Sequence, residues 1–193
     1  MFTGGSVRRL KQLLPLVVLI VSACDDPFGP SIWDDTPQDM LIYSASRAEY
    51  IGLVSAVDIA TTTAVLALPI EAPGLTGNWD FALTDHNGGL ALVPASAFAG
   101  LESRARIGVD SVRAFENVTE AMRDTALYTV DPVPVELDKV YIVRSRRASC
   151  GVSSGYRYAK LRPTVINVAA GTLEFEIVRN PYCDNRSFVP PEE

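Results

Sequence analysis

The segment Gly151-Val152-Ser153-Ser154-Gly155 matches the G-x-S-x-G pattern of a serine nucleophile elbow. That chemistry needs a strand–turn–helix setting that strains and exposes the serine, and a histidine to take its proton. The chain holds a single histidine, His86, which precedes Ser153. That order is the reverse of the Ser…Asp…His order of α/β-hydrolases. The flanking sequence reads as strand on both sides, so the expected setting of Ser153 is a loop, with a hydrolase as the alternative. His86 sits in Asp85-His86-Asn87-Gly88-Gly89. Asn-Gly supplies the positive φ angles of a tight hairpin turn, so a solvated turn residue is expected. One histidine cannot build a multi-histidine metal site, and no spacing points to a cofactor. The acids are scattered, with Asp34-Asp35 early and Glu174/Glu176 on one strand face. No catalytic residue is assigned.

A second constellation is basic and aromatic. Arg144, Arg146, Arg147, Arg157, Lys160 and Arg162 fall within nineteen residues, with Tyr156 and Tyr158 among them and Tyr141 just before. If the strands that carry them pair, alternation places Tyr156, Tyr158, Lys160 and Arg162 on one face. Guanidinium forks match the geometry of carboxylate and phosphate. The candidate binding surface is therefore Tyr141, Arg144, Arg146, Tyr156, Tyr158, Lys160 and Arg162. Its partner is an anionic ligand or an envelope protein. The alternative is a solvated sheet face that pairs with the protein's own acids.

The start of the chain says where such a surface works. Arg8, Arg9 and Lys11 precede an apolar run from Leu13 to Val21, then Val21-Ser22-Ala23-Cys24. About nine apolar residues suit a signal peptide and fall far short of the roughly 20 that span a bilayer. The small residues before Cys24 resemble the lipobox of a bacterial lipoprotein precursor. The resemblance implies cleavage before Cys24 and lipid on its thiol, hence a membrane anchor in the bacterial envelope, on the periplasmic side or the cell surface. Cleavage removes three bases and no acid, which moves the net charge from −6 to −9. That balance argues against nucleic acid as a partner. With Cys24 lipidated, Cys150 and Cys183 remain as a pair in an oxidising compartment, and a disulfide is expected. Two free buried thiols are the alternative.

The elements follow from this division. Residues 1–23 read as signal peptide and 24–38 as lipidated cysteine and tether. Residues 39–189 read as a β-rich domain, and 190–193 as a tail. The tether is rich in proline, glycine and aspartate, and its Trp33 either docks on the domain or touches the membrane interface. Expected strands are 40–44, 53–59, 64–70, 79–84, 90–93, 104–109, 128–130, 139–145, 156–161, 164–168 and 172–178. Short helical turns are expected at 47–50, 94–99 and 119–123. Pro132 and Pro134 demote their segment to an edge or connection. Leu173, Phe175 and Ile177 alternate with Thr172, Glu174 and Glu176, the period of a half-buried strand. No long helical period follows the leader. The expected fold is mainly β, a single antiparallel sandwich or barrel.

Trp79-Asp80-Phe81, Val140-Tyr141-Ile142-Val143-Arg144 and Tyr156-Arg157-Tyr158-Ala159-Lys160-Leu161 resemble a pattern in lipoproteins of the HmuY haem-binding family. The resemblance covers about half the chain and implies a β-domain. It also raises a haem or small-ligand carrier. That family binds haem through histidines, and His86 matches no ligand position, so haem binding does not carry over and no cofactor is expected. Asn180-Pro181-Tyr182-Cys183-Asp184-Asn185-Arg186 is similar to the ends of lipoproteins with a matching cysteine pair, which supports the disulfide. The leading reading is a membrane-anchored, non-enzymatic binding module.

Overall fold

A computed structural model describes residues 33, 35–61, 64–71, 74, 76–98 and 101–191. The signal segment, Cys24, and the tether apart from Trp33 and residues 35–38 lie outside the described residues. In chain order the strands are β1 (Gln38–Tyr43), β2 (Ala56–Asp58), β3 (Leu66–Leu68), β4 (Phe81–His86), β5 (Gly89–Pro94), β6 (Arg106–Asp110) and β7 (Tyr128–Thr129). They continue as β8 (Val133–Pro134), β9 (Val140–Arg144), β10 (Ala148–Cys150), β11 (Ser153–Gly155), β12 (Tyr158–Asn167) and β13 (Thr172–Arg179). A six-stranded sheet, β1-β13-β12-β9-β6-β7, packs on a five-stranded sheet, β3-β2-β4-β5-β8. β10 and β11 form a separate hairpin. All pairings are antiparallel. The fold is mainly β and sandwich-like. Among the described residues, no helix is long and apolar enough to cross a membrane.

The inner faces meet in one core. Leu173, Phe175 and Ile177 of β13 point into it with Phe81, Leu83 and Leu92 from the facing sheet. Each such side chain contributes roughly 1.5–3 kcal/mol on burial. β9 shows no alternation in burial, because both of its faces are covered. Tyr141 and Val143 enter the main core, while Val140 and Ile142 enter a second cluster with Phe115, Val118, Tyr128 and Phe188. That cluster roofs the outer face of the six-stranded sheet with the 111–127 segment and the C-terminal segment. Phe188 N–H donates to the Thr119 carbonyl at 2.7 Å, and Ala121 N–H to Arg186 at 2.8 Å. Gly108 makes the roof possible, since a side chain there would collide with Met122. A third cluster around Trp79 and Leu68 covers the five-stranded sheet. All three lie within the described domain, which carries its own cores.

Several boundaries differ from the sequence expectation. Strands 156–161 and 164–168 are one strand, β12, bulged between Pro163 and Val165. Proline cannot donate to a ladder, and the bulge absorbs it. The helical turn expected at 119–123 is absent. Single 3-10 turns stand instead at Phe115–Asn117 and Thr125–Leu127, and Glu120 bridges to Ser187. The strands expected at 53–59 and 64–70 shorten to β2 and β3, and β1 begins inside the expected tether, at Gln38. The hairpin at 85–89 forms as expected. Asn87 and Gly88 take φ of 49° and 79°, the positive pair that a tight turn between β4 and β5 needs.

The register defines two ends. One gathers the start of β6, the end of β9, the β10–β11 hairpin, the start of β12, the end of β13 and the start of β1. We call it the arginine end. The other, the turn end, holds the Asn87-Gly88 turn and the β12–β13 turn.

Candidate functional site

The arginine end is built on a buried carboxylate. Asp80 precedes β4 and is fully buried. Its Oδ2 accepts Ile59 N–H at 2.8 Å and Ala60 N–H at 3.1 Å, and its Oδ1 accepts Arg146 N–H at 2.6 Å. Burial pushes its carboxyl up to about 6, against the opposing pull of the Arg146 guanidinium. Arg146 also grips Asp58 with both ends of its fork, at 2.8 and 2.9 Å. Arg157 is buried as well. It donates to the carbonyls of Pro181 and Ser149 at 2.9 and 3.3 Å and to that of Ala60. Arg179 donates to the Thr61 carbonyl. Two aspartates and three arginines thus pin the 59–61 segment to the ends of β9, β12 and β13.

The Cys150–Cys183 disulfide closes the same end. The Cα atoms lie 6.0 Å apart, and the bond ties the β10–β11 hairpin to the segment after β13. Trp33 also docks here, edge-on to Tyr182 with ring centroids 6.1 Å apart.

Outside this frame lies a basic surface with a different character. Arg106 and Arg144 are direct cross-strand partners, and Arg144 faces Tyr158 on its other side. Like charges in register oppose pairing. Burial, then the charge of Arg144, lowers the pKa of Arg106. The Arg144 guanidinium lies 4.7 Å from the Tyr156 ring centroid and 5.9 Å from that of Tyr128. Its Nε is buried without a hydrogen-bond partner. Arg104 and Arg147 stand beside it, exposed. Among the described residues, none of Arg104, Arg106, Arg144 and Arg147 has a carboxylate within ion-pair distance.

The other residues of the expected surface have structural work. Tyr141 is not on it: the side chain is fully buried, and its hydroxyl donates to Pro134 and accepts from Glu136 N–H. Arg146 serves Asp58 and Asp80. Lys160 is buried, donating to the carbonyls of Phe115 and Val118 at 2.8 and 3.0 Å beneath the Phe115 ring. It fastens the roof, and burial lowers its pKa. Arg162 bridges Glu116 and Glu176 at 2.9 and 2.7 Å, beside a groove of about 380 Å³. What remains is Arg144 with Tyr156, both half-buried; Tyr158 packs against the second cluster, and Arg144 Nη2 donates to the Arg104 carbonyl at 3.4 Å.

Ser153 lies in β11 at the arginine end, where its hydroxyl donates to Cys150 at 3.5 Å. His86 lies in the opposite turn, next to Asn87. About 20 Å of extended strand separates it from Asp80 at the arginine end. The structure does not bring the two together, and a serine–histidine pair needs about 3 Å. Among the described residues, no group of three or more His, Cys, Asp and Glu is placed to hold a metal.

No protein-family model matches the chain, and no curated protein matches it.

Three members of this end escaped sequence reasoning. Asp58 and Asp80 looked like scattered acids, since Arg146 lies 88 and 66 residues further on. Arg106 joins Arg144 only through the β6–β9 register. A local signal existed for Asp80 alone: an acid between Trp79 and Phe81, both core-forming, must be buried and satisfied.

Proposed function

We propose that the protein is a membrane-anchored bacterial envelope lipoprotein whose sandwich is a non-enzymatic binding module, taking an anionic ligand or partner at its arginine end. One observation carries this reading. Arg144 is stacked on Tyr156 with a buried, unpartnered Nε, beside three further arginines that lack acids, in a chain whose net charge is −6. Stacking uses the face of a guanidinium; along its edge Nη2 reaches the Arg104 carbonyl at 3.4 Å, a long contact that a carboxylate or phosphate would replace with a charge-assisted one. The disulfide supports an extracytoplasmic setting. The lipobox-like Val21–Cys24 supports the anchor.

Titration of the mature chain with polyglutamate tests the surface. Saturable, salt-sensitive binding is expected, and Arg144→Gln should weaken it about tenfold, the loss of one charge-assisted contact. Absence of binding, or equal binding by the variant, overturns the reading. Metabolic labelling with a fatty-acid probe should mark the wild type and not Cys24→Ser. An unmarked wild type removes the anchor.

A further inference from the structure

We infer that the arginine end docks on the anionic headgroup layer of the membrane that holds the lipid anchor, with the turn end facing away. The inference rests on the anchored, anion-binding reading above and names its partner. Three observations at one end support it.

The first is where the chain enters the domain. Trp33 packs against Tyr182 and β1 starts at Gln38, both at the arginine end. Nine residues lead from Cys24 to Trp33, a reach of at most about 30 Å. A lipid on Cys24 therefore tethers the point of entry, at this end of the sandwich, within about 30 Å of the bilayer.

The second is charge. Arg104, Arg106, Arg144 and Arg147 lack acid partners among the described residues, whereas the turn end pairs its arginines. There Arg47 meets Asp85 at 2.6 Å and Arg113 meets Asp110 at 2.6 Å. Glu49, Glu136 and Asp138 add negative charge at that end against Lys139, while Asp184, on the Tyr156 N–H at 3.0 Å, is an exposed acid at the arginine end. An acidic protein cannot approach an anionic surface at random, because its net charge is repelled. It can approach with its basic end first, within a Debye length of about 8–10 Å.

The third is the side-chain chemistry. Tyr156 and Trp33 are half-buried amphipathic rings at this end, of the kind that sit at headgroup level. Val152, at the tip of the β10–β11 hairpin, is fully exposed beyond the arginines. The disulfide holds that hairpin against the domain, so its tip is presented on a fixed base.

The test uses the mature chain from position 24 carrying Cys24→Ser, which removes the lipid and leaves the domain intact. It is mixed with vesicles of phosphatidylcholine alone or with phosphatidylglycerol, and the bound fraction is read by co-sedimentation. Binding is expected with phosphatidylglycerol only, and should be lost at high salt. Arg104→Gln with Arg147→Gln, two exposed positions that leave the buried frame untouched, should weaken it by about fivefold for each arginine. Equal urea midpoints for variant and wild type show that folding is unchanged. Polyglutamate binding without vesicle binding overturns the membrane proposal and keeps the anion-binding reading, with an acidic protein as partner. Failure of both probes overturns both. Equal vesicle binding by the double variant also overturns the membrane proposal.

Discussion

Asp80, just before β4, and Asp85, within it, lie five residues apart and organise opposite ends of the sandwich in opposite ways. Asp80 is sealed from water and holds backbone. It takes the N–H groups of Ile59, Ala60 and Arg146, with the Arg146 guanidinium alongside. Asp85 is over a third exposed and holds side chains. It accepts Ser44, Ser46 and Arg47, and Arg47 in turn reaches the carbonyls of Val168 and Ala169, each at 2.7 Å. Burial raises the carboxyl of Asp80, while the Arg47 and Ser44 contacts hold that of Asp85 well below the usual range. The turn end balances its charges locally and in water. The arginine end buries Asp58 and Asp80, keeps Asp184 outside on the Tyr156 N–H, and leaves Arg104, Arg106, Arg144 and Arg147 without a carboxylate at ion-pair distance. A surface of unmatched charge is thus the by-product of a matched interior.

The comparison can be broken most sharply at Asp80. Asp80→Ala strands three N–H donors and part of a buried arginine's pairing, and should cost about 3–5 kcal/mol in urea unfolding. A loss below about 1 kcal/mol means that the 59–61 segment is held by Arg157 and Arg179 alone. Opening the disulfide with Cys150→Ser and Cys183→Ser should cost about 2–4 kcal/mol, by freeing a loop closed over a sequence separation of 33. Unchanged stability would make the bridge dispensable to the arginine end. At the turn end, Asp85→Ala should cost about 1–2 kcal/mol, because its contacts are partly solvated. If it proves worse than Asp80→Ala, the ranking of the two ends is wrong.

The smallest effects are in pH, with slopes below about 1.4 kcal/mol per pH unit for each group. Asp80 has a folded pKa near 6, above its unfolded value. Its contribution is complete below about pH 4 and is lost as pH rises through 6. Asp85 has a depressed folded pKa. Its contribution is complete above about pH 4 and is lost on further acidification. Asp80→Asn should therefore flatten the stability profile between pH 4 and 6, and Asp85→Asn should flatten it below 4. Identical profiles for both variants would erase the distinction.

Sequence legibility followed the same division. The turn end was legible because its signals are local: Asn87-Gly88 forms the expected turn, and the alternation of β13 gives its buried face. Cys150 and Cys183 also paired as expected. The arginine end was only partly legible, since its contacts join residues far apart in the chain. Tyr141 looked like a surface tyrosine because β9, covered on both faces, offers no alternation to separate inside from outside. Arg146 and Lys160 looked free because their acceptors, Asp58 and the Phe115 and Val118 carbonyls, lie 88, 45 and 42 residues away. The roof over 111–127 has no periodicity of its own. It is held by a sheet face, a lysine and the C-terminal segment, none of which is local.

The pairing of β1 with β13 has a consequence for timing. The first strand of the domain finds its ladder in the last, from Gln38 with Ile177 to Tyr43 with Thr172. A ribosome or translocon that delivers the chain from its N-terminus presents β1 long before its neighbour exists. The six-stranded sheet then stays open at that edge until β13 has been made. Contacts of such high sequence separation close slowly. For the exported lipoprotein proposed above, that delay keeps the chain threadable until it has crossed.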